Sequence, residues 1–319
     1  MPTLPQQLTL MTDHRFLNRY GPRVFLDTRD LIRLLEKEEP LSPSALAKEL
    51  AARQARIVLL PSNVMELVPY KEGAPFSVDR ALDLMHRLEQ LPHAFLRSPD
   101  LAWNECRAAL AAFSGERTLP SIDPYVEHWW ATMWKIPPTI AASVMPNEVR
   151  YLNSLTLAEQ ISHLLLEPED IRFSTTQRDE ARESMRQDRE KFGTRRGTTT
   201  AFNGALARLV SWTGRPEPSG GIDAFASYIT ENPSALKGWR TGFAVWEEYR
   251  CNLTAIPTIG DFPDFSHVQA LPYVTHATLD RAWQARCRQA AARLKKSGDP
   301  TAKWYQRVFN DLESILKSW

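Results

Sequence analysis

Four carboxylates stand where a sheet protein would gather them. Asp27 closes the apolar run RVFLD, and Glu66 comes just after the run RIVLLP. Asp264 and Asp280 bracket the short stretch DFSHVQALPYVTHATLD. In a parallel sheet the carboxyl ends of strands and the starts of the following helices meet on one edge. Acids collected there repel one another, and a hard divalent cation relieves the repulsion. An all-oxygen donor set points to Mg²⁺ or Mn²⁺. One or two such ions orient and deprotonate a water and stabilise the leaving oxygen of a phosphodiester.

Plainer roles compete for the same residues. Asp27 sits where it would cap the next helix, with Asp30 completing the pair. Asn63 and Glu66 have capping-box spacing, and Asp264 follows a Pro at a helix start. His267 lies three residues beyond Asp264 on the same helical face, placed to touch a substrate phosphate or steady a carboxylate. A satisfied structural histidine is the alternative. Arg80 opens the helix after Glu66 and is a candidate to neutralise the acids or clamp a phosphate, or else an ordinary surface arginine. Glu105 is a further acid, read as solvated on an amphipathic helix.

The elements that must position these groups follow from periodicity. RVFLD and RIVLLP read as buried strands, and Leu31, Ile32, Leu34 and Leu35 form a helical stripe between them. ALAKELAARQA, VDRALDLMHRLEQL and DLAWNECRAALAAF add helices, and the alternation predicts a parallel α/β sheet. From about residue 111 to 250 only helical patterns and Pro-rich turns are legible. The strand pattern returns in YVTHATL, and the tail from Asp280 to Trp319 reads as helical. The expected organisation is an α/β core over 20–110 and 251–290, a helical insertion over 111–250 and a helical tail over 291–319.

Composition excludes several classes. The chain has 319 residues and a formal charge of +1, so total charge does not announce a nucleic-acid binder. Three scattered cysteines make neither a disulfide framework nor a zinc site. There is no G-x-S-x-G, no G-x-G-x-x-G and no phosphate-loop motif. No apolar run reaches the roughly 18 to 20 residues that span a bilayer, and the first residues do not form a signal peptide. A cytoplasmic location without membrane contact is the expectation.

The blocks VFLDTRDLIRLL, LPSNVMEL and GDFPDFSHVQALPYVTHATLDR, in this order, resemble the motif blocks of PIN-domain nucleases, in particular larger bacterial members with a helical insertion. The match covers roughly residues 20–110 and 255–285. The resemblance implies a Rossmann-like three-layer core and metal-dependent cleavage of RNA, with single-stranded DNA second, leaving a 5′-phosphate. It assigns Asp27, Glu66, Asp264 and Asp280 as catalytic metal ligands for Mg²⁺ or Mn²⁺. It also suggests a toxin or phage-defence effector. Family members often carry a further acid after LPYV, where this chain has Thr275 and then His276. A second metal position is therefore expected to be weaker or carried by Asp280 alone. The rival reading is an inactive PIN-like scaffold that binds nucleic acid or a protein.

Substrate contacts are expected from uneven charge. Arg281 opens a basic tail that also carries Arg286, Arg288, Arg293 and Arg307, interleaved with Trp283, Trp304, Tyr305 and Trp319. Basic groups neutralise phosphates and aromatic faces stack unpaired bases. The segment REKFGTRRGTTT, with Arg195 and Arg196, is a second candidate, a flexible loop able to fold over a strand. The competing reading makes the tail aromatics core anchors and the bases a solvated face. HWWATMW is expected to pack the insertion. The insertion would set substrate access or seat a regulatory protein partner or a second copy of the chain.

Overall fold

The computed structural model describes residues 21–36, 42–67, 78–97, 100–116, 124–126, 145–160, 175–255 and 261–319. The first part runs β1 (Arg23–Phe25), α1 (Thr28–Leu35), α2 (Pro43–Ala52), β2 (Arg56–Leu59), α3 (Pro61–Leu67), α4 (Val78–Glu89), β3 (His93–Leu96), α5 (Asp100–Phe113) and β4 (Tyr125–Val126). Among the described residues five helices follow: α6 (Pro146–Ser154), α7 (Thr175–Phe192), α8 (Thr199–Trp212), α9 (Gly221–Glu231) and α10 (Lys237–Arg250). The last part is α11 (Asp261–Ala270), β5 (His276–Thr278), α12 (Arg281–Lys296), β6 (Val308–Phe309) and α13 (Leu312–Ser318).

The protein is an α/β fold on one six-stranded sheet, ordered β4-β3-β2-β1-β5-β6. Among the described strands only β4 is antiparallel to its neighbour. The chain leaves β1 toward β2 and β3, then returns on the other side of β1 as β5 and β6. The direction of winding therefore reverses between β1 and β5, the kind of crevice where open parallel sheets place ligands.

Strand residues alternate between two buried faces, as a period of 2 requires. Val24, Ile57, Leu59 and Phe95 pack with Leu31 and Leu34 of α1, Leu84 and Leu88 of α4, and Ile315 of α13. Phe25, Val58 and Leu96 face Val245 of α10, Val268 of α11, and Trp283 and Cys287 of α12. Helices thus cover both faces. Phe25 has no exposed surface, and truncating it to Ala would cost about 3–5 kcal/mol. A third cluster joins α8 and α9 to α5 through Leu206, Leu209, Phe225, Ile229 and Cys106.

Three strands escaped the sequence pattern. β3, HAFL, lies between two long helices and has no β-branched residue to mark it as a strand, unlike RVF and RIVL. β4 and β6 have two residues each and form because a sheet edge offers backbone partners. Beyond α12 the tail read as helical is a 3₁₀ run (Pro300–Arg307), the strand β6 and the short helix α13. Pro300 lacks the amide that an uninterrupted helix from α12 would need. HWWATMW lies outside the described residues. Among the described residues no helix is long and apolar enough to cross a membrane.

Candidate metal centre

Asp27 is the second residue beyond β1 and only 5% exposed. It occupies the N-cap position of α1, yet its carboxylate makes no capping bond. Its backbone N–H donates to Thr278 Oγ1 at the end of β5, 2.9 Å away. That bond ties the two strands that flank the switch point and leaves the Asp27 carboxylate uncommitted.

Glu66 reaches the same place from α3. The helix begins at Pro61, so Asn63 is not its N-cap; Asn63 Oδ1 accepts from the backbone N–H of Leu60 at 2.9 Å. Asn63 Nδ2 donates to Thr28 Oγ1 at 2.9 Å. The Thr28 hydroxyl in turn donates to Glu66 Oε2. The spacing read as a capping box is therefore a relay: a fully buried amide holds a hydroxyl, and the hydroxyl holds the carboxylate.

Asp264 lies in the first turn of α11, three residues inside it rather than at its cap. One turn further on, His267 is fully buried against the Phe25 ring, centroids 5.0 Å apart. Its Nδ1 stands 3.4 Å from Asp27 Oδ1 and 3.8 Å from Asp264 Oδ1. Its Nε2 stands 3.7 Å from Glu66 Oε2. None of these contacts is a hydrogen bond, and neither ring nitrogen has any hydrogen-bond partner. One donor atom from each of Asp27, Asp264 and His267 falls in a group whose members lie within 4.8 Å of one another.

Burial and like charge act together on the acids. Burial, reinforced by Asp27, Asp280 and Glu66, pushes the Asp264 carboxyl up to about 7, against an opposing pull from His267. Burial likewise raises Glu66, opposed by His267 and the Thr28 hydroxyl. Asp30, 7% exposed, is raised by burial despite a hydrogen bond with Thr278. A cluster of this kind favours a proton or a cation.

The remaining candidates divide. Asp280 is the residue that caps: its Oδ1 accepts from the Trp283 N–H at 2.7 Å, while its charge still acts on Asp264. Arg281 follows it on the first turn of α12, exposed. Arg80 is not at the acids; its guanidinium makes two bonds, 2.8 and 2.6 Å, to Glu36. Glu36 is the C-cap of α1 and Asp27 its N-cap, so about 12 Å of helix separates them.

The basic loop is anchored rather than free. Glu247 Oε1 accepts from the Gly197 N–H at 2.7 Å, and Arg196 Nε donates to Glu248 at 2.6 Å. The fully buried Arg250 donates to the carbonyls of Gly193 and Arg195. Arg196 lines a cavity of about 820 Å³ with Arg240, Glu247 and Arg293, a cavity that none of the four acids lines. The tail aromatics are core anchors: Trp283, Trp304 and Tyr305 are 2%, 7% and 5% exposed.

Thr275 stands where the chain enters β5, and its hydroxyl joins the Arg23 backbone across the strands. It is at the opposite end of β5 from the acids. The residue of that strand facing the site is Thr278, so Thr275 does not weaken the acid cluster. Asp30, Thr28, Asn63 and Thr278 are the participants that sequence reasoning missed or placed differently. The signal for the relay was present as the polar residues Thr28 and Asn63 beside the two strand ends.

No protein-family model, curated protein or solved structure matches the chain.

Proposed function

We propose that the chain is a metal-dependent endoribonuclease of PIN-like design. The observation that carries this reading is the buried group of Asp27, Asp264 and His267 within 4.8 Å, at the switch point of a parallel sheet. The residues fit a divalent ion: two carboxylates free of capping duty and a buried imidazole without hydrogen bonds. Asp27 and Asp264 would hold the ion, with Glu66 beside them. A bound Mg²⁺ or Mn²⁺ supplies Lewis acidity toward a phosphodiester and makes water a stronger nucleophile.

The chain's own residues prepare that chemistry. The bond from the Asp27 N–H to Thr278 fixes the backbone that carries one carboxylate, and the Asn63–Thr28 relay holds the carboxylate of Glu66. Phe25 and His267 close the floor of the site against water. Asp264 retains a proton to about pH 7 when no cation is near and yields it to one. Arg29, 3.4 Å from Asp30, and Arg281, next in the chain to Asp280, are exposed and would draw a phosphate backbone toward the acids. RNA as the substrate, single-stranded DNA as second choice, and a toxin or phage-defence role rest on the resemblance of the motif blocks.

The test is cleavage of labelled structured RNA and single-stranded DNA with Mn²⁺, with Mg²⁺ and with chelator, beside the Asp27→Asn, Asp264→Asn double variant. Metal-dependent cutting lost in the double variant supports the nuclease. One observation favours the rival, a non-catalytic scaffold: the buried His267 ring already fills the space between Asp27, Asp264 and Glu66. Absence of both cleavage and metal binding would select that reading.

A further inference from the structure

The sequence suggested an all-oxygen centre, but a nitrogen base occupies its middle. We propose that His267 Nδ1 is a direct ligand of the metal, with Asp27 and Asp264, and that Glu66 acts from outside by orienting the imidazole. The centre would then take a first-row transition ion such as Mn²⁺ in preference to Mg²⁺. This inference rests on the metal reading above.

The distances carry the first step. Nδ1, 3.4 and 3.8 Å from the Asp27 and Asp264 oxygens, is too far from either for a good hydrogen bond. It is also too close for a bridging water, which needs about 2.8 Å on each side. Metal bonds of about 2.1 Å at angles of about 90° to 110° put neighbouring ligands about 3.0 to 3.5 Å apart. The Nδ1–Asp27 separation of 3.4 Å lies inside that interval, and the Nδ1–Asp264 separation of 3.8 Å needs only a small contraction. A fully buried imidazole with both nitrogens unsatisfied is costly unless something occupies the gap.

The second step concerns Nε2. Metal-bound histidines almost always present their other ring nitrogen to a carboxylate or carbonyl, which fixes the tautomer. Nε2 faces Glu66, 3.7 Å away, and Glu66 is already held by Thr28. With Nδ1 turned to the two aspartates, Nε2 is left facing Glu66 on the other side of the ring. The sorting therefore makes Asp27, Asp264 and His267 the inner group and Glu66 the orienting carboxylate. Imidazole raises affinity for transition ions, while Mg²⁺ prefers oxygen and water.

The deciding measurement is pulsed electron paramagnetic resonance on the full chain loaded with one equivalent of Mn²⁺. Modulation from a directly bound ¹⁴N is expected in the wild type and absent in His267→Gln. Calorimetry should show Mn²⁺ binding weakened at least about 10-fold by His267→Gln, with Mg²⁺ binding changed far less. Glu66→Gln should keep the nitrogen signal and lose roughly 10- to 100-fold in Mn²⁺ affinity. Stoichiometric Mn²⁺ without nitrogen modulation would overturn this assignment and leave the metal reading standing. No Mn²⁺ binding at all would remove both. The wild-type spectrum decides the matter even where His267→Gln fails to fold.

Discussion

Asp264 and Glu105 are both partly buried carboxyls pushed up to about 7, in each case chiefly by loss of solvent. Around Glu105 every oxygen has a donor. The Tyr273 hydroxyl donates to Oε1 and the Gly238 N–H to Oε2, at 3.2 Å for the latter. The Lys237 charge is near and sits over the Tyr273 ring at 4.4 Å. The Tyr125 hydroxyl then continues the network to the Tyr273 carbonyl. Around Asp264 the neighbours are other acids and an imidazole with no hydrogen bonds. A raised acidity therefore does not distinguish a site from a structural joint. Hydrogen-bond satisfaction does: the Glu105 network is closed, and the Asp27–Asp264–His267 group is open.

The largest effect should come from breaking the open cluster. Asp27→Asn or Asp264→Asn is expected to lower metal-dependent cleavage by more than the roughly 10- to 100-fold that an outer-shell loss costs. The metal-free protein should melt no lower than wild type, because each change removes one charge from a group of like charges. Cleavage kinetics and a chelator-treated thermal melt check both halves. A variant that loses activity only because it unfolds would sink the distinction.

Breaking the closed network should do the reverse. Glu105→Leu strands the Tyr273 hydroxyl and the Gly238 N–H in the interior, at a cost of about 2–5 kcal/mol. Denaturant melts should show that loss, while cleavage per folded molecule stays at the wild-type rate. A large fall in specific activity with an unchanged melt would mean that Glu105 belongs to the chemistry.

The comparison also shows what was legible beforehand. Asp27, Glu66 and Asp264 were readable because strand ends in a parallel sheet converge, whatever the rest of the chain does. The central place of His267 was not, since its neighbours come from β1, α3 and α11, and only tertiary packing brings those three together. The capping readings went astray for the same reason. Asp27 and Asp264 have cap-like spacing, yet Asp280 is the one that caps. The sheet core was visible in the alternation of Val24, Phe25 and Leu26, whereas β4 and β6 are defined by the edges they join. The anchoring of the basic loop and of Arg293 was not legible, because a linear run of Arg says nothing about Glu247 and Glu248, which hold Arg196 and Arg293 from another element.

The pH dependence of stability separates the two regions by a smaller amount. Both carboxyls are raised in the folded state, against about 4 when unfolded. The folded chain therefore binds more protons in that window. Each contribution is complete below the unfolded value and is lost as the pH rises toward and through about 7. Relative to Asp264→Asn or Glu105→Gln, the metal-free wild type should lose on the order of 2 °C or more between pH 5 and pH 8. Mn²⁺ should recover the Asp264 part at pH 8 and leave the Glu105 part untouched. Equal recovery in both variants would erase the contrast.

The smallest effect is expected at Arg80, the residue that sequence reasoning placed beside the acids. Its guanidinium is 47% exposed and its partner Glu36 28%, so water screens the pair and an exposed ion pair contributes about 0.2–1 kcal/mol. Arg80→Ala should shift the melt by no more than that and leave cleavage and RNA affinity unchanged. Arg281→Ala is the matched control, because that side chain stands next to Asp280 and should weaken RNA binding more strongly at low salt than at high salt. If Arg80→Ala weakened RNA binding as Arg281→Ala does, the bound strand would have to extend past the C-terminal end of α1. The footprint of the acid cluster would then be larger than its own sheet edge.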